Sequence, residues 1–253
     1  MKVLFIGDVF GKAGREVLRE SLPEIFKSEK PDFTVANAEN SAGGKGLTQK
    51  VADELFAAGC DALTLGDHAW DRKEILEIID DERIVRPLNF PPGCPGHGRT
   101  SLERDGQKLT VVSLMGRTFI ERPLDCPFQT IGREKFDGAA IVDFHAEATS
   151  EKIAMKWFLA GKVSAIIGTH THIPTDDMEI VDGTAYMTDC GMTGPFDSVI
   201  GVDKNIILKR FLTGFPARFE AAMGDARLNA VLVEIDAGRA TGIKKIRVKK
   251  AEM

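Results

Sequence analysis

Residues 3–8 read Val3-Leu4-Phe5-Ile6-Gly7-Asp8, a short apolar run that stops on a glycine and a carboxylate. Such a run reads as a strand, and the segments after it decide the fold class. A helix-like stretch extends from about Gly14 to Glu29, with Val17, Leu18, Leu22, Ile25 and Phe26 at helical spacing. Phe33 to Ala38 is strand-like again. Thr48 then opens a second amphipathic helix carrying Val51, Leu55 and Phe56 and closed by Gly59. Ala62 to Leu65 gives a third strand, and Asp71 to about Asp80 a third helix. Strand and helix alternating at this interval imply right-handed βαβ crossovers and a largely parallel sheet, hence an α/β fold.

Further along, the pattern loosens. Pro87, Pro91, Pro92, Gly93, Pro95, Gly96 and Gly98 mark a long surface loop. Leu109 to Leu114, Gly138 to Phe144 and Val163 to Gly168 are strand-like, with a helix expected over Ser150 to Leu159. Met178 to Val181 and Ala185 to Thr188 flank Asp182-Gly183, a hairpin signature. A helix near Asn205 to Leu212 precedes two alternating strands, Leu228 to Ile235 and Ile243 to Val248. No Ser- or Pro-rich linker divides the chain, so one domain over 1–253 is expected, with an antiparallel portion added to a parallel beginning.

Composition narrows the function. Lys and Arg total 33 against 38 Asp and Glu, a formal charge of −5, which excludes the broad basic field of a protein that grips long nucleic acid. Four cysteines (Cys60, Cys94, Cys126 and Cys190) lie far apart with no Cys-x-x-Cys pair, which argues against a thiolate zinc site and for reduced thiols. No apolar run reaches the ~18 residues of a membrane span, and the first one is too short for a signal peptide. A cytoplasmic location is therefore expected, and no membrane partner.

Polar chemistry collects after the strands. The first ends at Gly7-Asp8, the second at Asn37-Ala38-Glu39-Asn40, and the third at Gly66-Asp67-His68. Two later strands end at Asp143-Phe144-His145 and at Gly168-Thr169-His170-Thr171-His172. Ligands in open α/β sheets bind at the carboxyl ends of strands. One carboxylate there is ordinarily a turn or cap residue, and one histidine is ordinarily a satisfied core group. Five strand ends that together take four of the five histidines, all but His97, are better explained by a metal site. Asp8, Glu39, Asn40, Asp67, His145, His170 and His172 form a nitrogen and oxygen donor set suited to Fe, Mn, Zn or Co. Seven candidates exceed the three protein ligands of a mononuclear catalytic zinc and suit two ions sharing a carboxylate. His68, extra to that count, is placed to protonate a leaving alkoxide.

Competing motifs do not fit. The stretch from Gly7 to Ala13 has one residue too few for a P-loop and lacks its Ser or Thr. The glycine-rich Ser41-Ala42-Gly43-Gly44-Lys45-Gly46 is either a phosphate cradle or a flexible turn. Arg86, Arg99 and Arg117 are candidate phosphate binders but read better as solvated or packed. Thr169, Thr171, Thr193 and Ser41 are candidates to orient imidazoles, and Asp143 to orient His145 or cap a turn. Phe10 and Trp70 flank the proposed site and read as core packing.

Together, Gly7-Asp8, Gly66-Asp67-His68 and Gly-Thr-His170-Thr-His172 resemble the dispersed motifs of calcineurin-like metallophosphoesterases. More narrowly, Phe-Ile-Gly-Asp8-Val-Phe-Gly, Asn-Ala-Glu39-Asn40-Ser-Ala-Gly-Gly, Val-Asp-Phe-His145-Ala-Glu-Ala-Thr-Ser-Glu-Lys and Ile-Gly-Thr-His170-Thr-His172 look like the YmdB-type cyclic nucleotide phosphodiesterases. That resemblance implies a four-layer α/β sandwich of two mixed sheets flanked by helices, instead of one sheet. It also implies one metal on Asp8, Glu39, Asn40 and His172, and another on Glu39, position 67, His145 and His170. Glu39 would bridge, and His68 would donate the proton. The implied reaction is attack by a metal-bridging hydroxide on a 2′,3′-cyclic or 3′,5′-cyclic nucleotide, with two divalent ions, iron or manganese before zinc. A phosphomonoesterase on the same site and a low-turnover nucleotide-binding regulatory protein are the alternatives. The expected partner is a small nucleotide phosphodiester, and a homo-oligomer is compatible with the sequence.

One departure stands out. The family pattern has Asn-His where this chain has Asp67-His68. With Asp8, Glu39 and Asp67 at −3, two divalent ions leave the cluster at +1, whereas Asn would leave +2. A more neutral cluster holds metal more firmly and acidifies a bound water less. Asp67→Asn is therefore expected to keep the fold and raise phosphodiester turnover; equal or lower activity in the metal-loaded variant would contradict this.

Overall fold

The computed structural model describes residues 1–249, so the last four positions of the expected domain lie outside the described residues. The chain begins β1 (Lys2–Ile6), α1 (Gly11–Glu29), β2 (Phe33–Asn37), α2 (Gln49–Ala57) and β3 (Ala62–Thr64). A 3-10 turn over Lys73–Glu77 leads to β4 (Ile84–Val85), β5 (Arg99–Arg104) and β6 (Gln107–Met115). Next come α3 (Pro127–Ile131), β7 (Ala139–His145), α4 (Thr149–Leu159) and β8 (Ala165–Thr169). The rest is β9 (Glu179–Val181), β10 (Thr184–Met187), β11 (Gly194–Pro195), α5 (Lys204–Thr213), β12 (Ala226–Asp236) and β13 (Arg239–Lys249).

These strands form two sheets, which corrects the single-sheet expectation and agrees with the resemblance. One has the order β11-β12-β1-β2-β3-β4, with β13 also paired to β12. Its β1 to β4 are parallel, and β12 runs antiparallel to β1. The other has the order β5-β6-β7-β8-β10-β9. There β6, β7, β8 and β10 are parallel, and β5 and β9 close the edges antiparallel.

Period-two alternation explains how both faces of each sheet are buried. Val3 and Phe5 of β1, with Phe33 and Val35 of β2, meet Leu109, Val111, Ile141, Ile167 and Met187 of the opposite sheet. Their neighbours Leu4 and Ile6 point the other way, onto Val17, Leu18 and Leu22 of α1 and Leu55 of α2. The second sheet turns Val112, Leu114, Val142 and Phe144 outward against Ile131 of α3 and Met155 and Leu159 of α4. Helix, sheet, sheet, helix is the resulting order of layers. A run of four apolar residues such as Val3–Ile6 suits a strand with no face in water.

Several local expectations change. Asp71–Asp80 is not a helix beyond its five-residue 3-10 turn. Ile75, Ile78 and Ile79 are buried at helical spacing, but β-branched residues resist helix and Ile78 leaves it at φ −129°. β5 emerges from the end of the Pro/Gly loop. Its charged, largely exposed sequence hid a strand because it pairs along a sheet edge, where charge discourages further pairing. α3 and β11 were not anticipated either. The hairpin at Asp182-Gly183 is as expected, with both residues left-handed (φ 51° and 80°) as a type I′ turn requires. All four cysteines are free thiols.

Candidate metal centre

Asp8, Glu39 and Asp67 follow β1, β2 and β3 of the first sheet; His145 ends β7, and His170 and His172 follow β8 of the second. The candidate site therefore lies at the seam where the carboxyl ends of two sheets meet. Register aligns its second half, since His145 pairs with Thr169 across β7 and β8.

At the centre, His145 Nε2 lies 3.0 Å from Asp67 Oδ1 and 3.1 Å from Glu39 Oε1. His170 Nδ1 is 3.2 Å from the same Asp67 oxygen and 3.0 Å from His145 Nε2. Donor atoms of these four residues all fall within 4.8 Å of one another. Beside them, His172 Nε2 sits 3.9 Å from Asp8 Oδ1 and 3.3 Å from Asn40 Nδ2, which in turn donates to Glu39 Oε1 at 3.2 Å. All seven sequence candidates thus converge, and Glu39 touches both groups. Gly66 makes this approach feasible, because a Cβ there would intrude on the His145 ring and lie 2.5 Å from Glu39 Oε2. His68 borders the cluster: its amide donates to Glu39 Oε2 at 3.0 Å, and its Nδ1 lies 3.0 Å from Asp71 Oδ2.

Over residues 4–246 the sequence matches the family described as YmdB-like protein. The chain belongs to that family. A 2′,3′-cyclic-nucleotide 2′-phosphodiesterase of Bacillus subtilis (strain 168) is 47% identical over 255 residues, covering 98% of this chain and 96% of the relative. A crystal structure of a hypothetical protein from Thermus thermophilus superposes with a TM-score of 0.94 at 44% identity, covering 99% of this chain and 100% of that one. The NAD nucleotidase of Haemophilus influenzae, at 13% identity, shares the fold alone, with a TM-score of 0.60 over 98% of this chain and 55% of its own.

Electrostatics of this YmdB-like chain favour a cation at the seam. Burial, with Asp189 and Glu39 nearby, pushes Asp8 up to about 8. Burial alone would depress His145, but Glu39 and Asp67 more than reverse it and hold its pKa well above that of an ordinary imidazole. Burial likewise opposes ionisation of Glu39 and Asp67, yet contact with His145, and for Asp67 also His170, keeps both below the usual carboxylate range. The pocket is therefore built to stabilise positive charge at the donor atoms. Its oxygen and imidazole donors, without thiolate, fit divalent ions of the Fe, Mn and Zn group.

Each imidazole turns its other nitrogen to an orienting acceptor, the usual support for a metal-binding histidine. Thr169 Oγ1 gives its one proton to Asp143 Oδ1 at 2.6 Å, so it accepts from His145 Nδ1 at 2.9 Å and leaves Nε2 facing the centre. His172 Nδ1 donates to Ile200 O at 2.8 Å, and His170 Nε2 lies 3.1 Å from Glu147 Oε2. Of the four hydroxyl candidates only Thr169 plays this part. Thr193 Oγ1 instead donates to Asn229 O and Ser41 Oγ to Ala38 O, while Thr171 Oγ1 accepts from the Ile173 amide. Phe10 is buried edge-on against His172, and Trp70 packs on Phe90.

The glycine-rich loop is a closed turn, because the amides of Ala42, Gly43 and Gly44 already donate to Gly46, Ser41 and Asn40 carbonyls. Arg86 clamps the Pro/Gly loop through carbonyls of Pro87, Cys94, Pro95 and Gly96, and Arg99 pairs with Glu134 at 2.6 Å. Arg117 offers its backbone amide to Glu151, and His97 is exposed in its loop.

Lys152 and Asp189 escaped the sequence reading. Both are buried, and their ion pair spans 2.7 Å. Lys152 Nζ also donates to Thr169 O at 2.8 Å, while Asp189 accepts from the Thr171 and Gly191 amides at 3.1 and 2.8 Å. Between these anchors His170 and His172 adopt left-handed backbone (φ 98° and 65°), which costs roughly 1–3 kcal/mol each and needs such support. A signal did exist: Lys152 and Lys156 share a helical stripe with Met155 and Leu159, and Asp189 follows a sixth strand. Lys152→Ala should leave Asp189 buried without its cation and destabilise the protein by about 3–5 kcal/mol, measured by urea unfolding; a loss below about 1 kcal/mol would contradict this role.

Proposed function

We propose that this protein is a metal-dependent phosphodiesterase of 2′,3′-cyclic nucleotides, acting as one domain and releasing a 3′-nucleotide. The observation that carries this reading is Glu39, a buried carboxylate in contact with both donor groups at the seam. The substrate class is supported by the Bacillus subtilis relative, and the nearly complete mutual coverage supports extending it to this chain.

In this reading Glu39, Asp67, His145 and His170 hold one divalent ion, and Asp8, Glu39, Asn40 and His172 the other, with iron or manganese the expected metals. When bound, the pair supplies Lewis acidity to the phosphoryl oxygens and acidifies a water. The chain's own residues do the rest. Glu39 and the imidazoles fix the donor geometry through the partners described above. Asp71 holds the His68 ring by Nδ1, leaving Nε2 to give its proton to the departing ribose 2′ oxygen. With a partly exposed side chain, His68 is reachable by a nucleotide, whereas His145 is sealed.

Glu39→Gln should remain folded by circular dichroism yet lose metal and activity; full activity with a measured metal load would defeat the assignment. His68→Ala should keep its metal and lose about 10²–10⁴-fold in kcat on a 2′,3′-cyclic nucleotide. Comparing para-nitrophenyl phosphate with its bis ester separates a diesterase from a phosphomonoesterase, and faster hydrolysis of the monoester would overturn the proposal.

A further inference from the structure

β6 reaches the edge of the candidate centre without supplying a donor, its last residue, Met115, in register with His145 of β7. The loop that follows is tied down on both sides of the centre. At its start the amides of Arg117 and Thr118 donate to the Glu151 carboxylate at 3.0 and 3.1 Å. Glu151 belongs to the first turn of α4, one turn beyond the Glu147 that meets His170. At the far end Arg122 Nη2 lies 3.7 Å from Asp71, the carboxylate that holds His68. His170 and His68 are the histidines of the centre with accessible side chains, so the segment between the two ties runs along its open side.

Phe119 occupies the middle of that segment in a state the chain alone does not favour. Its backbone is left-handed (φ 64°), a conformation that is costly for a bulky side chain and that turns ordinarily give to Gly, Asn or Asp. Its ring is 84% exposed, while its neighbour Ile120, like Trp70, packs against the core on the helix side of the first sheet. The left-handed residue thus turns Ile120 inward and Phe119 outward, and holds an apolar ring in water at the mouth of a polar site. Strain kept at such a place is a mark of function, and the exposure is relieved when a flat apolar group covers the ring.

We propose that Phe119 is the platform on which the nucleobase of the substrate stacks. The inference rests on the cyclic-nucleotide reading above and extends it. A base projects from its ribose away from the phosphoryl group. With the cyclic phosphate at the candidate centre and its departing oxygen beside His68, the base lies outward, toward the Phe119 loop. Every base offers a π-face, and an aromatic ring meets it without reading its edge. The site therefore takes cyclic nucleotides as a class, the larger purines ahead of the pyrimidines. Because Arg122 ties the platform to Asp71, base contact and proton donor are set from one carboxylate.

Steady-state kinetics of the metal-loaded enzyme on two esters tests this: 2′,3′-cyclic AMP and the base-free 1-O-methylribose 2,3-cyclic phosphate. Phe119→Ala should raise KM for the nucleotide about 5- to 100-fold, with kcat changed less than about twofold and the base-free ester unaffected. Phe119→Tyr, which keeps a ring, should restore the wild-type KM. An unchanged KM for the nucleotide in Phe119→Ala, an equal rise for the base-free ester, or no rescue by tyrosine would each overturn the platform. Calorimetric titration of the same proteins with adenosine 3′-phosphate separates this from the parent reading. A wild type that cleaves neither ester defeats the proposed reaction, and the platform is then judged by binding. It stands if Phe119→Ala weakens the nucleotide by the same factor, and fails if wild type and variant bind it alike or not at all.

Discussion

A carboxylate removed from water must be met by protons or cations, and the architecture is arranged around that demand at Glu39. It leaves the first sheet at the end of β2 and is met by His145 from the second sheet, while its other oxygen takes the His68 amide. Distances of this kind across a seam are fixed by the packing beneath it. Phe5 and Val35 on one side and Ile141 and Ile167 on the other set the sheet separation on which the contact depends. Core and site are thus one construction. A void opened between the sheets would shift Glu39 and Asp67 relative to His145 and His170 before it disturbed either sheet internally.

Much of this was legible because strand ends are legible. A run such as Val3–Ile6 announces a strand, and the topology of parallel strands announces that its carboxyl end faces a common edge. What the residues could not disclose was how many sheets share the work. Period-two alternation states that β1 is buried on both faces, but the same pattern results whether its cover is a helix or a second sheet. The two-sheet architecture entered through family resemblance instead. β5 was lost for a related reason, since Arg99–Arg104 is defined by its ladder to β6 and carries no apolar face of its own.

The supports of the site were harder still to see. Thr169, Ile200 and Glu147 orient three imidazoles by quite different groups: a hydroxyl, a backbone carbonyl and a surface carboxylate. Only the first belongs to a residue type that invites the guess. Lys152 looks like one polar residue among others in an amphipathic helix, and its role depends on Asp189, which lies 37 residues away in sequence. Sequence spacing reports which groups an element can deliver; long-range compensation of charge is decided by the fold.

Exposure across the four histidines gives the centre a direction. His145 is sealed and His172 nearly so, whereas the side chains of His170 and His68 are 21 and 34% exposed. Asp67 sits between these two on the same open side, and Asp8 and Glu39 form the buried floor. In the proposed reaction the nucleotide approaches from this open side, so Asp67, read in the sequence as a departure from the family resemblance, faces incoming negative charge together with His68 and His170. Asp67 therefore acts in two ways that oppose each other. In the proposed centre its charge would add to the hold on a cation beside His145 and His170, and the same charge would repel an anionic substrate at the mouth. On that proposal the site would favour retention of metal over rapid turnover, a balance set by one carboxylate oxygen at a position where an amide would serve as ligand without the charge.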